Sequence, residues 1–260
     1  MNAKFDIPGD IASKSRSITK PGLYAILPAS DRVFSTLPQF NRGVSAKVMA
    51  APNMGARFVE HELFTKPNGG TDGVIQEDLE QFLFVLEGNL TFELEGKKHQ
   101  MIKGGYCWLP PKSAFAFKNT GESLCRMLWI RRKFELIDKW GIPDPIIANE
   151  QDMAAEPVDT YTEKHLTPYY ENTAFDMGIN LQFFNPGVYF DMIESHIMEH
   201  GLYMVEGRGI YYLNRDFIEV QKDDFIYMAP FCPQSFYATG WDGSQYLLYK
   251  DVNRDYSDGL

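Results

Sequence analysis

The chain has 260 residues, 44% of them hydrophobic and 14% aromatic, which is enough to pack one large or two smaller domains and excludes overall disorder. Its formal charge of -10 argues against a nucleic acid or an anionic membrane surface as the main partner, because both need clustered cations to neutralise phosphates. Cys107, Cys125 and Cys232 are odd in number and lack C-x-x-C spacing, so buried thiols in a reducing compartment are expected rather than disulfides or a thiolate zinc site.

Met1–Pro8 lacks the apolar stretch of a signal peptide, and no window of about 18 or more apolar residues suggests a membrane span. A soluble, cytoplasmic protein is the expectation. An arm over residues 1–54 follows, with a strand-like run at Gly22–Leu27. From about Gly55 to Arg132, short runs of Val, Ile, Tyr and Phe alternate with Gly, Asn, Asp and Pro, and little 3.6-residue periodicity is present. That pattern predicts antiparallel strands in a small sandwich or barrel. Residues 133–179 shift towards Pro and acidic side chains and read as a connector with one short helix near Phe134–Trp140, wrapped on a domain surface. Residues 180–260 return to the strand-and-turn pattern.

The two strand-rich regions are copies of one unit. An offset of 119 residues places Pro67 on Pro186, Asp72 on Asp191, Glu87-Gly88 on Glu206-Gly207, Leu94 on Leu213 and Pro111 on Pro230. An all-β fold of two tandem small domains, sandwiches or barrels, is therefore expected.

The strongest chemical signal is the heptad Glu194-Ser195-His196-Ile197-Met198-Glu199-His200. Residues 194 and 196 share one face of an extended strand, and a turn after Met198 returns His200 to it, so a carboxylate and two imidazoles can converge on one divalent ion while Glu199 points elsewhere. The flanks, Pro186-Gly187 as a turn and Val188–Ile193 as a β-rich run, suit a barrel rather than a helical zinc motif. In the first copy the same positions hold Ile75, Glu77 and Gln81, so a metal site would be single. His61 lies well before that turn and reads as a solvated strand residue; Arg131-Arg132-Lys133 reads as a solvated strand end.

With these residues on the page, the chain resembles the cupins, specifically the two-domain cupins of the (S)-ureidoglycine aminohydrolase family. Gly187, Glu194, His196, His200 and Gly207 follow the first cupin motif, with carboxylate and imidazole in reversed order and the Gly187 spacing one residue longer than usual. The second motif is the turn Ala229–Ser235; it holds no histidine, and Gln234 is the candidate ligand, though strict spacing favours Ser235 by one residue. The likeness extends to Gly69-Gly70 and to the ending Tyr249–Asp255. It implies two tandem double-stranded β-helix barrels, the first (55–132) without metal ligands and the second (180–260) with them. It implies manganese on Glu194, His196, His200 and Gln234, with Tyr211, Tyr246 and Lys250 lining a pocket for a small ureide; in such a site Lys250 is the expected partner of the substrate carboxylate, and either Glu194 or a metal-bound water is expected to move protons. Alternation on one strand separately places Tyr246 and Lys250 on a common face. The implied activity is hydrolysis of (S)-ureidoglycine to (S)-ureidoglycolate and ammonia in purine and allantoin breakdown by a homo-oligomer. A metal-dependent cupin dioxygenase acting on a small organic acid is the alternative, and a non-catalytic binding or storage bicupin the third reading.

Overall fold

The computed structural model describes residues 16–252; Met1–Pro8 and the segment Asn253–Asp255 of the family-like ending lie outside the described residues. The N-terminal arm contributes β1 (Ile18–Lys20), β2 (Tyr24–Leu27), β3 (Phe34–Ser35) and β4 (Val44–Ala50). The first copy supplies β5 (Phe58–Thr65), β6 (Glu80–Glu87), β7 (Asn89–Leu94), β8 (Lys97–Ile102), β9 (Gly105–Leu109), β10 (Phe115–Lys118) and β11 (Cys125–Arg132). In the connector lie β12 (Ile146–Asn149), β13 (Glu156–Val158) and β14 (Tyr161–His165). The second copy holds β15 (Met177–Phe184), β16 (His200–Glu206), β17 (Arg208–Leu213), β18 (Asp216–Gln221), β19 (Phe225–Met228), β20 (Gln234–Ala238) and β21 (Ser244–Asp251).

These strands form two jelly-roll barrels, each made of one large and one small sheet. The first combines the sheet β12-β9-β6-β11-β5-β4-β3 with β10-β7-β8; the second combines β1-β2-β19-β16-β21-β15-β14-β13 with β18-β17-β20. The same ladder is built twice at the 119-residue offset: Ile75 bridges Phe115 in the first barrel, and Glu194 bridges Gln234 in the second. Gly88 and Gly207 occupy equivalent turns at φ 80° and 77°, where a Cβ would lie 2.8 Å from the Leu124 carbonyl oxygen and 2.2 Å from that of Gly243.

The connections cross. β2 of the arm pairs with β19 of the second barrel, Tyr24 opposite Met228, while β12 of the connector pairs with β9 of the first, Ile146 opposite Trp108. The connector is thus three strands plus a short 3-10 turn at Glu150–Asp152, and the helix expected at Phe134–Trp140 is replaced by extended chain and a turn. Its residues are recruited by open sheet edges, a tertiary influence that local propensity does not register. Val188–Ile193 also forms no strand; isolated bridges at Tyr189 and Glu194 hold it beside β20.

Three hydrophobic cores result. One fills the first barrel around Phe92, Phe115 and Trp129, and another fills the second around Tyr211, Phe236 and Tyr246. The third lies between the two large sheets, where Phe58, Phe82 and Trp108 of one barrel meet Tyr203, Leu247 and Tyr249 of the other. β5, β6, β11 and β21 are consequently buried on both faces, which explains the apolar runs Phe82–Leu86, Met127–Ile130 and Tyr246–Tyr249. Double burial also overturns two expectations of exposure. His61 is 4% exposed beside Trp129, and burial lowers its pKa to about 4. Arg132 is buried against Glu80 and Asp176, and Arg131 lies over Trp129 while pairing with Glu77. Charged ends on doubly covered strands must be paired rather than solvated. All three cysteines are free and buried. Among the described residues no helix is long and apolar enough to cross a membrane.

Glu60 on β5 faces this central layer, close to Gly201 of β16, where an added Cβ would come within 2.9 Å of its Oε2. Burial pushes its pKa up to about 8. The unfolded chain releases this proton near the ordinary carboxylate value while the folded chain keeps it to about pH 8, so the group lowers stability progressively as pH rises through that window, by about 1.4 kcal/mol per pH unit. Glu60→Gln is expected to flatten that decline: thermal melts at pH 5 and pH 8 should show the variant gaining on the parent as pH rises.

Candidate metal centre and pocket

Glu194 and Gln234 are locked to one another before their side chains do anything. Glu194 N donates to the Gln234 carbonyl and Gln234 N to the Glu194 carbonyl, each at 2.9 Å. Phe231 N donates to the His196 carbonyl at 2.7 Å, fixing the loop after the bridge, and His200 begins β16 between Met228 and Lys250. The result is a triangle of nitrogen atoms: His196 Nε2 to His200 Nε2, and Gln234 Nε2 to each imidazole, all at 3.1 Å.

No placement of protons satisfies all three contacts. If the amide donates to both rings, two imidazole lone pairs face one another; if one ring donates to the other, it cannot accept from the amide. A cation at the centre resolves the conflict, with the amide turned to present its carbonyl oxygen. Ligands meeting at right angles on bonds of about 2.1 Å stand about 3 Å apart, the spacing observed. Burial lowers the pKa of His196, assisted by Lys250, and lowers that of His200 further, assisted by His196 and Lys250. Both rings are therefore neutral near pH 7, the form that offers a lone pair to a metal. The residues fit a borderline divalent ion better than structural zinc, which favours cysteine.

Glu194 lines the same cavity, and its negative charge raises the pKa of Tyr211, Tyr246 and Tyr161 in addition to the larger effect of burial. Among the described residues no three His, Cys, Asp or Glu side chains gather closely enough to hold a metal by themselves. The structure thus brings His196, His200 and Gln234 together and sets Glu194 beside them. Ser235 faces away, with its hydroxyl on the Phe190 carbonyl at 3.5 Å. Glu199 is wholly buried on the side towards the first barrel, accepting from Arg57 N at 3.0 Å and from Tyr227.

The cavity measures 220 Å³. It is smaller than the roughly 300–1,000 Å³ of pockets for drug-sized ligands, so it suits a compact polar molecule. Tyr246, Leu248 and Lys250 of β21 all line it, as does Tyr211 of β17, whose hydroxyl shares a hydrogen bond with Tyr246. Lys250 donates to Tyr170 Oη at 3.2 Å and lies 4.8 Å from the centre of the Tyr169 ring. Gly178 permits that closure: a Cβ there would meet the Tyr169 ring at 3.0 Å and the Lys250 stem at 3.1 Å.

Tyr161, Tyr170, Gln182, Phe190 and Met198 also line the cavity and were not singled out by the sequence. Met198 lies inside the heptad and Phe190 just before it, so proximity could have found them; Tyr161, Tyr170 and Gln182 arrive by strand pairing that carries no local signal. A wider surface depression of 450 Å³ near Lys222 and Trp241 contains none of the predicted site residues.

In the first barrel the equivalent space is filled. Trp129 stands where Leu248 stands in the second, its indole donating to Gln81 at 2.9 Å, and Phe92 stacks on Phe115 at the positions that the cavity-lining Tyr211 and Gln234 hold in the second.

Residues 63–131, within the first of the two jelly-roll barrels, match the cupin domain model. The chain is 30% identical over 244 residues to the (S)-ureidoglycine aminohydrolase of Escherichia coli (strain K12), covering 93% of each chain, and belongs to that family. It is also 30% identical over 249 residues to the (S)-ureidoglycine aminohydrolase of Arabidopsis thaliana, covering 95% of this chain and 81% of that one. The crystal structure of protein Ylba from E. coli superimposes with a TM-score of 0.83 at 30% identity, covering 93% and 96%.

His200→Ala or Gln234→Leu removes one corner of the triangle. Manganese retained after equilibrium dialysis is expected to fall at least about tenfold in either variant, whereas Ser235→Ala should retain it.

Proposed function

We propose that the protein hydrolyses (S)-ureidoglycine to (S)-ureidoglycolate and ammonia, as a two-domain cupin with manganese in its second barrel, within purine and allantoin breakdown. The observation that carries this reading is the His196, His200 and Gln234 triangle beside Lys250, in a chain that matches ureidoglycine aminohydrolases over nearly its full length.

His196, His200 and Gln234, joined by Glu194, would hold the ion; when bound, it supplies a Lewis acid that fixes the orientation of the reacting carbon's substituents. Lys250, which lines the cavity and donates to Tyr170 Oη, would meet the substrate carboxylate as a point charge. With the carboxylate anchored, the protonated amine leaves as ammonia, taking the C–N bonding pair, while the lone pair of the adjacent ureido nitrogen stabilises the electron-poor carbon. Water then bonds to that carbon and releases a proton, for which Glu194 is the acceptor in the cavity wall. Tyr211 and Tyr246 keep their phenolic protons, because burial raises both pKa values, and so serve as neutral hydrogen-bonding groups.

Metal-stripped protein should release ammonia from freshly generated (S)-ureidoglycine only after manganese is restored, once spontaneous decay is subtracted. Oxygen uptake with small organic acids, in place of ammonia release, would move the assignment to a dioxygenase. Lys250→Met should raise KM at least about tenfold with a smaller change in kcat, as steady-state ammonia assays would show.

A further inference from the structure

Gln182 is unexplained by the steps above. It sits on β15 between Glu163 of β14 and Tyr246 of β21, it is 5% exposed, and it lines the cavity. Its Nε2 donates to Glu163 Oε2 at 2.8 Å. Its Oε1 is buried with no hydrogen-bond partner. Because Glu163 Oε2 accepts from the NH2 end, the carbonyl end of an amide that lines the cavity is the one left without a protein partner. Glu163 is itself held in place, accepting from Asn180 Nδ2 at 3.2 Å through Oε2 and meeting His165 Nε2 at 2.5 Å through Oε1.

A buried acceptor left unpaired is a cost that a ligand donor removes. We infer that Gln182 Oε1 receives the terminal ureido N–H of the substrate, and that Glu163 is a positioning residue which keeps that oxygen turned towards it. This deepens the ureidoglycine reading and rests on it. Recognition is then divided: Lys250 reads the carboxylate, and Gln182 reads the far end of the ureido group. A site built to accept from a substrate N–H discriminates strongly against an analogue that lacks it.

The test uses two unreactive ligands without the leaving amine, N-carbamoylglycine and N-acetylglycine, which differ in a terminal NH2 against a methyl group of similar size. Calorimetric titration of the manganese-loaded protein should show the carbamoyl compound bound at least about tenfold more tightly. Gln182→Met should abolish that preference while leaving N-acetylglycine affinity within about twofold, since the methyl analogue never used the oxygen. Glu163→Gln, which frees the amide to turn, should reduce the preference in the same way. Equal binding of the two ligands by the parent protein, or a preference that survives in both variants, overturns the inference. Ammonia release by the parent protein is read separately, so an inactive protein that still prefers the carbamoyl ligand would sink the ureidoglycine reaction and leave the role of Gln182 standing.

Discussion

β21 is covered on both sides, and the pocket depends on that constraint. Leu247 and Tyr249 lie in the layer shared by the barrels, against Phe58 among others, while Tyr246 and Leu248 fall inside the second barrel. Because side chains alternate along a strand, anchoring one set fixes the other. Lys250 follows the inner set and stands directly across the ladder from His200. A one-residue slip would drive Tyr249 into the cavity and send Lys250 into an apolar layer, so packing between barrels holds the register of a site that lies wholly within one of them.

The two barrels show what a site requires of a common backbone. Trp129 in the first fills the interior, hydrogen-bonds to Gln81 and is capped by Arg131, which in turn pairs with Glu77. In the second, Leu248, His200, Lys250 and His196 stand at the matching places, leaving a cavity and two neutral imidazoles that meet one another and the Gln234 amide. Burying an aromatic side chain covers about 150–250 Å² and contributes several kcal/mol at about 25 cal/mol per Å². Leu248 forgoes that contribution at the place matching Trp129, and the first barrel supplies part of the framework that supports the second.

How much could be read from the sequence follows from the range of the interactions. The heptad and the alternation of Tyr246, Leu248 and Lys250 are local: the alternation follows from strand periodicity, whereas Glu194 to Glu199 are held as a loop by an isolated bridge to Gln234 and by Phe231 N on the His196 carbonyl. The repeat was visible because both copies preserve turn glycines and core positions at one spacing. The pairings of the exchanged strands were hidden, since Tyr24–Leu27 and Ile146–Asn149 are short and their partners lie far along the chain or across an open sheet edge. His61 and Arg132 were misread for a related reason: composition does not reveal that a sheet is covered on its second face. Gln182 and Glu163 gave no signal because their meaning lies in a pairing across two strands and in one unmatched oxygen.

The crossed connections also set an order of events during synthesis. β2 leaves the ribosome early, yet its partner β19 follows roughly 200 residues later, a delay of about 10–40 s at about 5–20 residues per second. Throughout that interval Tyr24, Ala25 and Ile26, all buried in the finished protein, have no sheet to join. The first barrel, by contrast, receives its last strand, β12, soon after its own seven are made. The nascent chain therefore presents a nearly finished N-terminal barrel trailing an apolar ribbon, and its exposure to chaperones is concentrated at the very end that was translated first.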